Sequence, residues 1–146
     1  KMGNKIYGCD TCQLVCPKNK DIEVPNHKEF IPNLTKGFMN IEELFSISNK
    51  EFKEKYGSMA GSWRGKNTLK RNGIIALGNI KDRDSLNILE KCLYDPSPMI
   101  REYTAWAILN IDFDYGKKII EGALKDERDK NVKFEIKNLT KILDNN

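Results

Sequence analysis

The sequence predicts an all-α chain of stacked helix pairs behind a loop-rich N-terminal segment, and three observations predict it. From residue 66 onward, apolar residues recur at helical spacing. Sliding the chain by 31 residues places one helical stretch on another. The first 40 residues hold three of the five prolines, Pro17, Pro25 and Pro32, and carry no sustained helical period.

Taken in order, residues 1–40 read as loop. Residues 40–46 (NIEELFS) and 49–56 (NKEFKEKY) each open with Asn, a good N-cap, and place acids in the first turn, so two short helices are expected. Residues 57–65 (GSMAGSWRG) combine three glycines with two serines and read as a junction. The organisation expected is a loop-rich segment over 1–40, a connector with short helices over 41–61 and a helical domain over 62–146.

Beyond the junction Leu69, Gly73, Ala76, Leu77 and Ile80 share one helical face. A second helix starting near Asp84 carries Leu86, Leu89, Cys92 and Leu93. Ser97-Pro98 then supplies an N-cap followed by proline at the first helical position, where its missing N–H costs nothing. Ile100, Thr104, Ala107, Ile108 and Ile111 repeat the stripe of the first helix. Ile119, Ile120, Ala123 and Leu124 mark a fourth helix, and Val132, Ile136, Leu139 and Leu143 a fifth.

The 31-residue shift puts Ala76 on Ala107, Asn79 on Asn110, Ile80 on Ile111, Ile88 on Ile119, Leu93 on Leu124 and Asp95 on Asp126. A helix pair of that length cannot bury its apolar face alone and must stack on a neighbour, the logic of HEAT-like repeats. Two pairs and a closing helix are expected; the same stripes would also suit an ordinary helical bundle.

At 146 residues with 39% hydrophobic content, the chain can bury one modest core and an appended segment. It holds no apolar run of 18 residues, so no membrane span is expected and a cytoplasmic address is the default. It opens Lys1-Met2-Gly3, which suggests a piece of something longer. The net charge of +4 is too mild to announce a partner by itself.

The chemistry lies near the start. Cys9, Cys12 and Cys16 followed by Pro17 read C-x2-C-x3-C-P, the last three cysteines of the bacterial ferredoxin run; the first would fall at Ile6. Soft anionic thiolates suit cluster iron, and close spacing lets one loop present several of them. In the two-cluster form the cysteine before proline serves the other cluster, so Cys9 and Cys12 would share one and Cys16 would reach a second. Three thiols cannot complete both. A Cys3His zinc site using His27 is the rival, although the interval from Cys16 to His27 matches no strong zinc spacing. A disulfide is the third reading, with nothing pointing to an oxidising compartment. His27 also suits an ordinary surface position in a proline-bounded loop, and Cys92, on an apolar stripe, reads as core.

Charge placement supplies the other signal. Arg64, Lys66, Lys70 and Arg71 put four positive charges into residues 62–80 with no acid among them, equal to the chain's whole excess. Such a cluster suits phosphate contacts, and Trp63 offers a ring for stacking. A solvated basic face, with Trp63 packing the junction, is the plainer alternative.

These residues carry a resemblance. The stretch YGCDTCQLVCPKN from Tyr7, the closing Tyr56-Gly57-Ser58, the segment LKRNGIIALGN from Leu69 and the segment DPSPMIREYTAWA from Asp95 together resemble the C-terminal half of the epoxyqueuosine reductase family, over about residues 3–112. The resemblance implies an oxidoreductase that reduces epoxyqueuosine to queuosine in tRNA, acting as a monomer with a cobalamin and two 4Fe-4S clusters. It implies that the cobalamin-binding and catalytic region lies upstream of this chain. Cys9 and Cys12 would be ligands of one cluster and Cys16 of the other. Arg64, Lys66, Lys70 and Arg71 would face the tRNA backbone. The family has Trp after the Cys-Pro where this chain has Lys18, which touches packing beside the cluster but no ligand. No residue here reads as a catalytic acid. The competing class is a non-catalytic HEAT-like interaction module with a structural zinc.

Overall fold

The computed structural model describes residues 3–21, 29, 35 and 39–144, and among them there are helices and no strand. The α-helices are α1 (Thr11–Leu14), α2 (Ile41–Ser46), α3 (Asn49–Tyr56), α4 (Lys66–Ile80), α5 (Leu86–Cys92), α6 (Pro98–Ile111), α7 (Phe113–Asp126) and α8 (Lys130–Asp144). Short 3-10 turns cover Pro17–Asn19, Ser62–Arg64 and Arg83–Ser85.

The caps explain where the helices begin. Asn40 accepts from the Glu43 N–H at 3.0 Å, as its position predicts. α3 starts one residue earlier than its Asn suggests, because Ser48 and Glu51 form a reciprocal capping box and leave Asn49 inside the helix. Asp112 caps α7 by accepting from the Tyr115 N–H at 3.1 Å. Pro98 occupies the first turn of α6, and the Asp95 carboxylate accepts the Ser97 N–H just ahead of it at 2.8 Å. The helix expected near Asp84 opens as the Arg83–Ser85 turn before becoming α5.

α4 lies chiefly on α6, while α5, α7 and α8 also pack on α6, making α6 the central helix. Leu69, Ile74, Leu77, Leu89, Ile100, Ile108, Ile120, Val132 and Ile136 form the buried core. Leu44, Phe45, Phe52 and Tyr56 from α2 and α3 join the same core, so these short helices close its near end. Cys92 is buried there, and burial raises its thiol pKa. Ile80, read as a core position, is 56% exposed. It is the last residue of α4, after which Lys81 turns left-handed and ends the helix, so the stripe runs out one residue early.

The tightest approach is between α4 and α6 at Gly78. A Cβ there would stand 2.7 Å from the Trp106 ring and 3.0 Å from the Ala107 Cα. The Asn110 side-chain amide, one helix along, donates to the Gly78 carbonyl at 2.7 Å. Glycine therefore lets two repeat helices meet almost backbone to backbone.

Candidate functional site

The cysteine run forms a short surface motif. Cys12 lies in α1, Cys9 just ahead of it, and Cys16 immediately before the turn that Pro17 begins. Cys9 and Cys12 are exposed, Cys16 is half-buried, and none is in a disulfide. The Thr11 hydroxyl lies 2.9 Å from the Cys9 sulfur and is the main cause that lowers this thiol's pKa, with Lys5 adding a weaker pull. Asn19 braces the turn by donating to the Gln13 side chain at 2.6 Å and to the Gln13 carbonyl at 3.2 Å.

Among the described residues, no three His, Cys, Asp or Glu side chains come together into a set able to hold one metal ion. His27 lies outside the described residues. Three accessible thiols in one tight turn fit the donor chemistry of iron-sulfur clusters.

Next to this motif, the turn Ser62–Arg64 carries an aromatic and cationic surface. Trp63 is 69% exposed, and the Arg64 guanidinium lies over its ring at 3.8 Å from the centroid. The Trp63 Nε1 donates to the Tyr7 hydroxyl at 3.4 Å, two residues before Cys9. The Ser62 hydroxyl donates to the Tyr56 carbonyl and anchors the turn to α3. Trp63 borders an open cavity of about 580 Å³ that Lys53, Lys66 and Asn49 also line.

The four basic residues singled out in the sequence part ways here. Arg64 is exposed. Lys66 is half-buried and donates to the Ile47 carbonyl at 2.8 Å. Arg71 is half-buried, with its guanidinium on the Asn72 oxygen at 2.9 Å and near the Tyr103 ring. Lys70 requires a correction as a phosphate contact. It is 6% exposed, and its ammonium is held by the Asp95 carboxylate at 2.7 Å and the Phe45 carbonyl at 3.0 Å. Its charge is consumed inside the fold, between α2, α4 and the start of α6. Sequence reasoning missed Lys53, whose nearness to Trp63 arises only when α3 folds beside the junction.

A Geobacillus stearothermophilus protein encoded in the gldA 3' region is 48% identical over 137 residues, covering 93% of this chain and 63% of its own length. The epoxyqueuosine reductase of Bacillus subtilis is 43% identical over 144 residues, covering 98% of this chain. A crystal structure of epoxyqueuosine reductase with an epoxyqueuosine-modified tRNA-Tyr stem loop matches 99% of this chain with a TM-score of 0.86 at 43% identity. Over nearly its whole length the chain is similar to one part of the epoxyqueuosine reductases. It spans 37% of the length of the Bacillus subtilis epoxyqueuosine reductase and 39% of the chain in that crystal structure. No family model matches the chain. No helix among the described residues is long and apolar enough to cross a membrane.

Proposed function

We propose that this chain is the cluster-binding and tRNA-docking part of an enzyme that reduces epoxyqueuosine to queuosine in tRNA. The observation that carries the reading is the run Cys9, Cys12, Cys16 and Pro17, set as accessible thiols on a fold that matches the reductases throughout its length. Cys9 and Cys12 would hold one 4Fe-4S cluster, and Cys16 would be a ligand of a second. Such clusters supply single electrons when bound. Thr11 favours the ligating thiolate of Cys9, and Asn19 keeps the turn folded around Cys16. No residue of this chain is assigned to cobalamin or to proton donation; both belong to a part that the longer relatives carry.

Joining this chain to the upstream part of a full-length relative provides the test. Anaerobic reconstitution is expected to give about eight irons, from two 4Fe-4S clusters. Cys12→Ala and Cys16→Ala should each remove about half of the iron, and the double variant nearly all of it. Stoichiometric zinc, or loss of all iron from either single change, would overturn the shared arrangement.

For RNA, the docking surface reads as Arg64 and Lys66 around Trp63, with Lys53 across the cavity and Arg71 a lesser contributor. Lys70, held inside the fold by Asp95 and the Phe45 carbonyl, is not part of this surface. A reductase of this fold has been crystallised with a tRNA stem loop, which supports the choice of partner. Replacing Arg64 and Lys66 together by Ala should flatten the slope of log affinity against log salt by between about one and two units. Anisotropy titration of a labelled tRNA stem loop at several salt concentrations measures it. An unchanged slope would move the surface elsewhere.

A further inference from the structure

We infer that Asn72 and Asn79 are positioning residues whose side-chain amides dock the stretch leading into the cysteine run onto α4, in the place a preceding helical repeat would fill. Asn79 Nδ2 donates to the Gly3 carbonyl at 2.8 Å, and Asn72 Nδ2 donates to the Ile6 carbonyl at 2.7 Å. These contacts join parts of the chain 76 and 66 residues apart, so no local turn explains them.

The internal repeat gives the first of them its meaning. Asn110 is the equivalent of Asn79 one repeat along, and its amide donates to the Gly78 carbonyl of α4, the equivalent helix one repeat earlier, at 2.7 Å. The same residue at the same helical position thus grips the backbone of whatever stacks on that edge. For α6 the stacked element is α4; for α4 it is residues 3–6. The second contact is oriented by a neighbour. Arg71 donates to Asn72 Oδ1 through Nε at 3.2 Å and Nη2 at 2.9 Å. With its oxygen so engaged, the buried Asn72 amide must turn its NH2 towards Ile6.

Tyr7 adds a third point of attachment. Its ring lies against Gly61, where a Cβ would come within 2.8 Å of it, and its hydroxyl accepts from Trp63. Ile6 packs partly on the core, whereas residues 3–5 and Tyr7 are exposed, so hydrogen bonds carry most of this docking. Ile6 is three residues before Cys9. The tether therefore fixes where the cysteine run leaves the helical domain, beside Trp63 and Arg64. Only this consequence rests on reading the cysteines as ligands; the docking itself does not.

The peptide bond after Lys5 lies between the two gripped carbonyls and is a trypsin site. Asn72→Asp and Asn79→Asp keep the side-chain shape and the acceptor but replace the donating NH2 by an oxygen facing a carbonyl. Trypsin cleavage after Lys5, timed by mass spectrometry on the metal-free chain, is expected to rise about tenfold in each variant, as local opening loses a hydrogen bond. Cleavage within α4 to α8 should stay at the wild-type rate. Asn110→Asp serves as the control, loosening α4 from α6 without releasing residues 3–6. Equal cleavage after Lys5 in the wild type and both variants would overturn the inference. A second readout is the rate at which the iron-loaded fusion with the upstream part of a full-length relative gives up iron to a chelator, expected to rise in the same two variants. Faster cleavage in a chain that takes up no iron would still support the docking and would count only against the ligand reading.

Discussion

Lys70→Ala is expected to destabilise the chain by about 3–5 kcal/mol, the cost of stripping one partner from a buried ion pair. The Lys70 and Asp95 side chains are 7% and 14% exposed, and their 2.7 Å contact joins α4 to the residues that open α6. Removing the ammonium leaves the Asp95 carboxylate poorly solvated and the Phe45 carbonyl without its donor. Asp95→Ala should also be costly, because the same carboxylate accepts the Ser97 N–H before α6. Urea denaturation of both single variants and the double variant decides the matter. The double variant should lose clearly less than the sum of the singles, since neither charge is then stranded. Additive losses below about 1 kcal/mol each would mark the pair as an ordinary surface bridge. One corollary concerns RNA: weaker binding by Lys70→Ala would report lost folding, not a lost phosphate contact.

Arg101→Ala should produce an effect of similar size, roughly 3–4 kcal/mol for a buried bidentate pair. Arg101 donates through Nε to one Glu127 oxygen at 2.7 Å and through Nη2 to the other at 2.9 Å, with side-chain exposures of 15% and 7%. A further nitrogen donates to the Asp95 carbonyl at 2.9 Å, so one guanidinium ties the start of α6 to the turn before α8. The Arg101 hydrogen bonds are the main cause that depresses the Glu127 pKa. A depressed carboxylate stabilises the fold above its unfolded value, about 4.3, and that contribution is lost as the pH falls through the lower folded value. The wild type should thus lose stability on acidification below about pH 4.3, and Glu127→Gln, already less stable at neutral pH, should lose less over the same range. Glu102, whose pKa is raised by burial and then by Glu135, acts in the opposite sense but is common to both proteins and cancels in the difference. Parallel stability curves for the two proteins would show that Glu127 is not the titrating group.

The stripes on α4, α6, α7 and α8 were legible because apolar side chains at helical period report a buried face without reference to any distant residue. Asn79 and Asn110 were visible as a repeat match, yet their use as backbone donors was not, since each acceptor is a main-chain oxygen on another element. Lys70 misled for a related reason. A lysine among Arg64, Lys66 and Arg71 with no local acid reads as a solvent cation, while its partner Asp95 lies 25 residues away in a turn. Ile80 failed at a boundary, where the left-handed Lys81 stopped the helix. The cysteine spacing was plain, yet whether the thiols converge was not, and among the described residues no three metal-ligating side chains come together.

The Gly78 contact also bears on mechanics. Two helices separated only by flexible side chains can slide and tilt against one another, whereas at Gly78 the α4 backbone sits directly against Trp106 and Ala107 of α6 and is held by the Asn110 amide. Close-packed protein is nearly incompressible, so this joint behaves as a hinge that has been welded. A load applied to α6 is transmitted to α4 with little bending lost between them, and the first repeat acts as a stiff bracket instead of a spring.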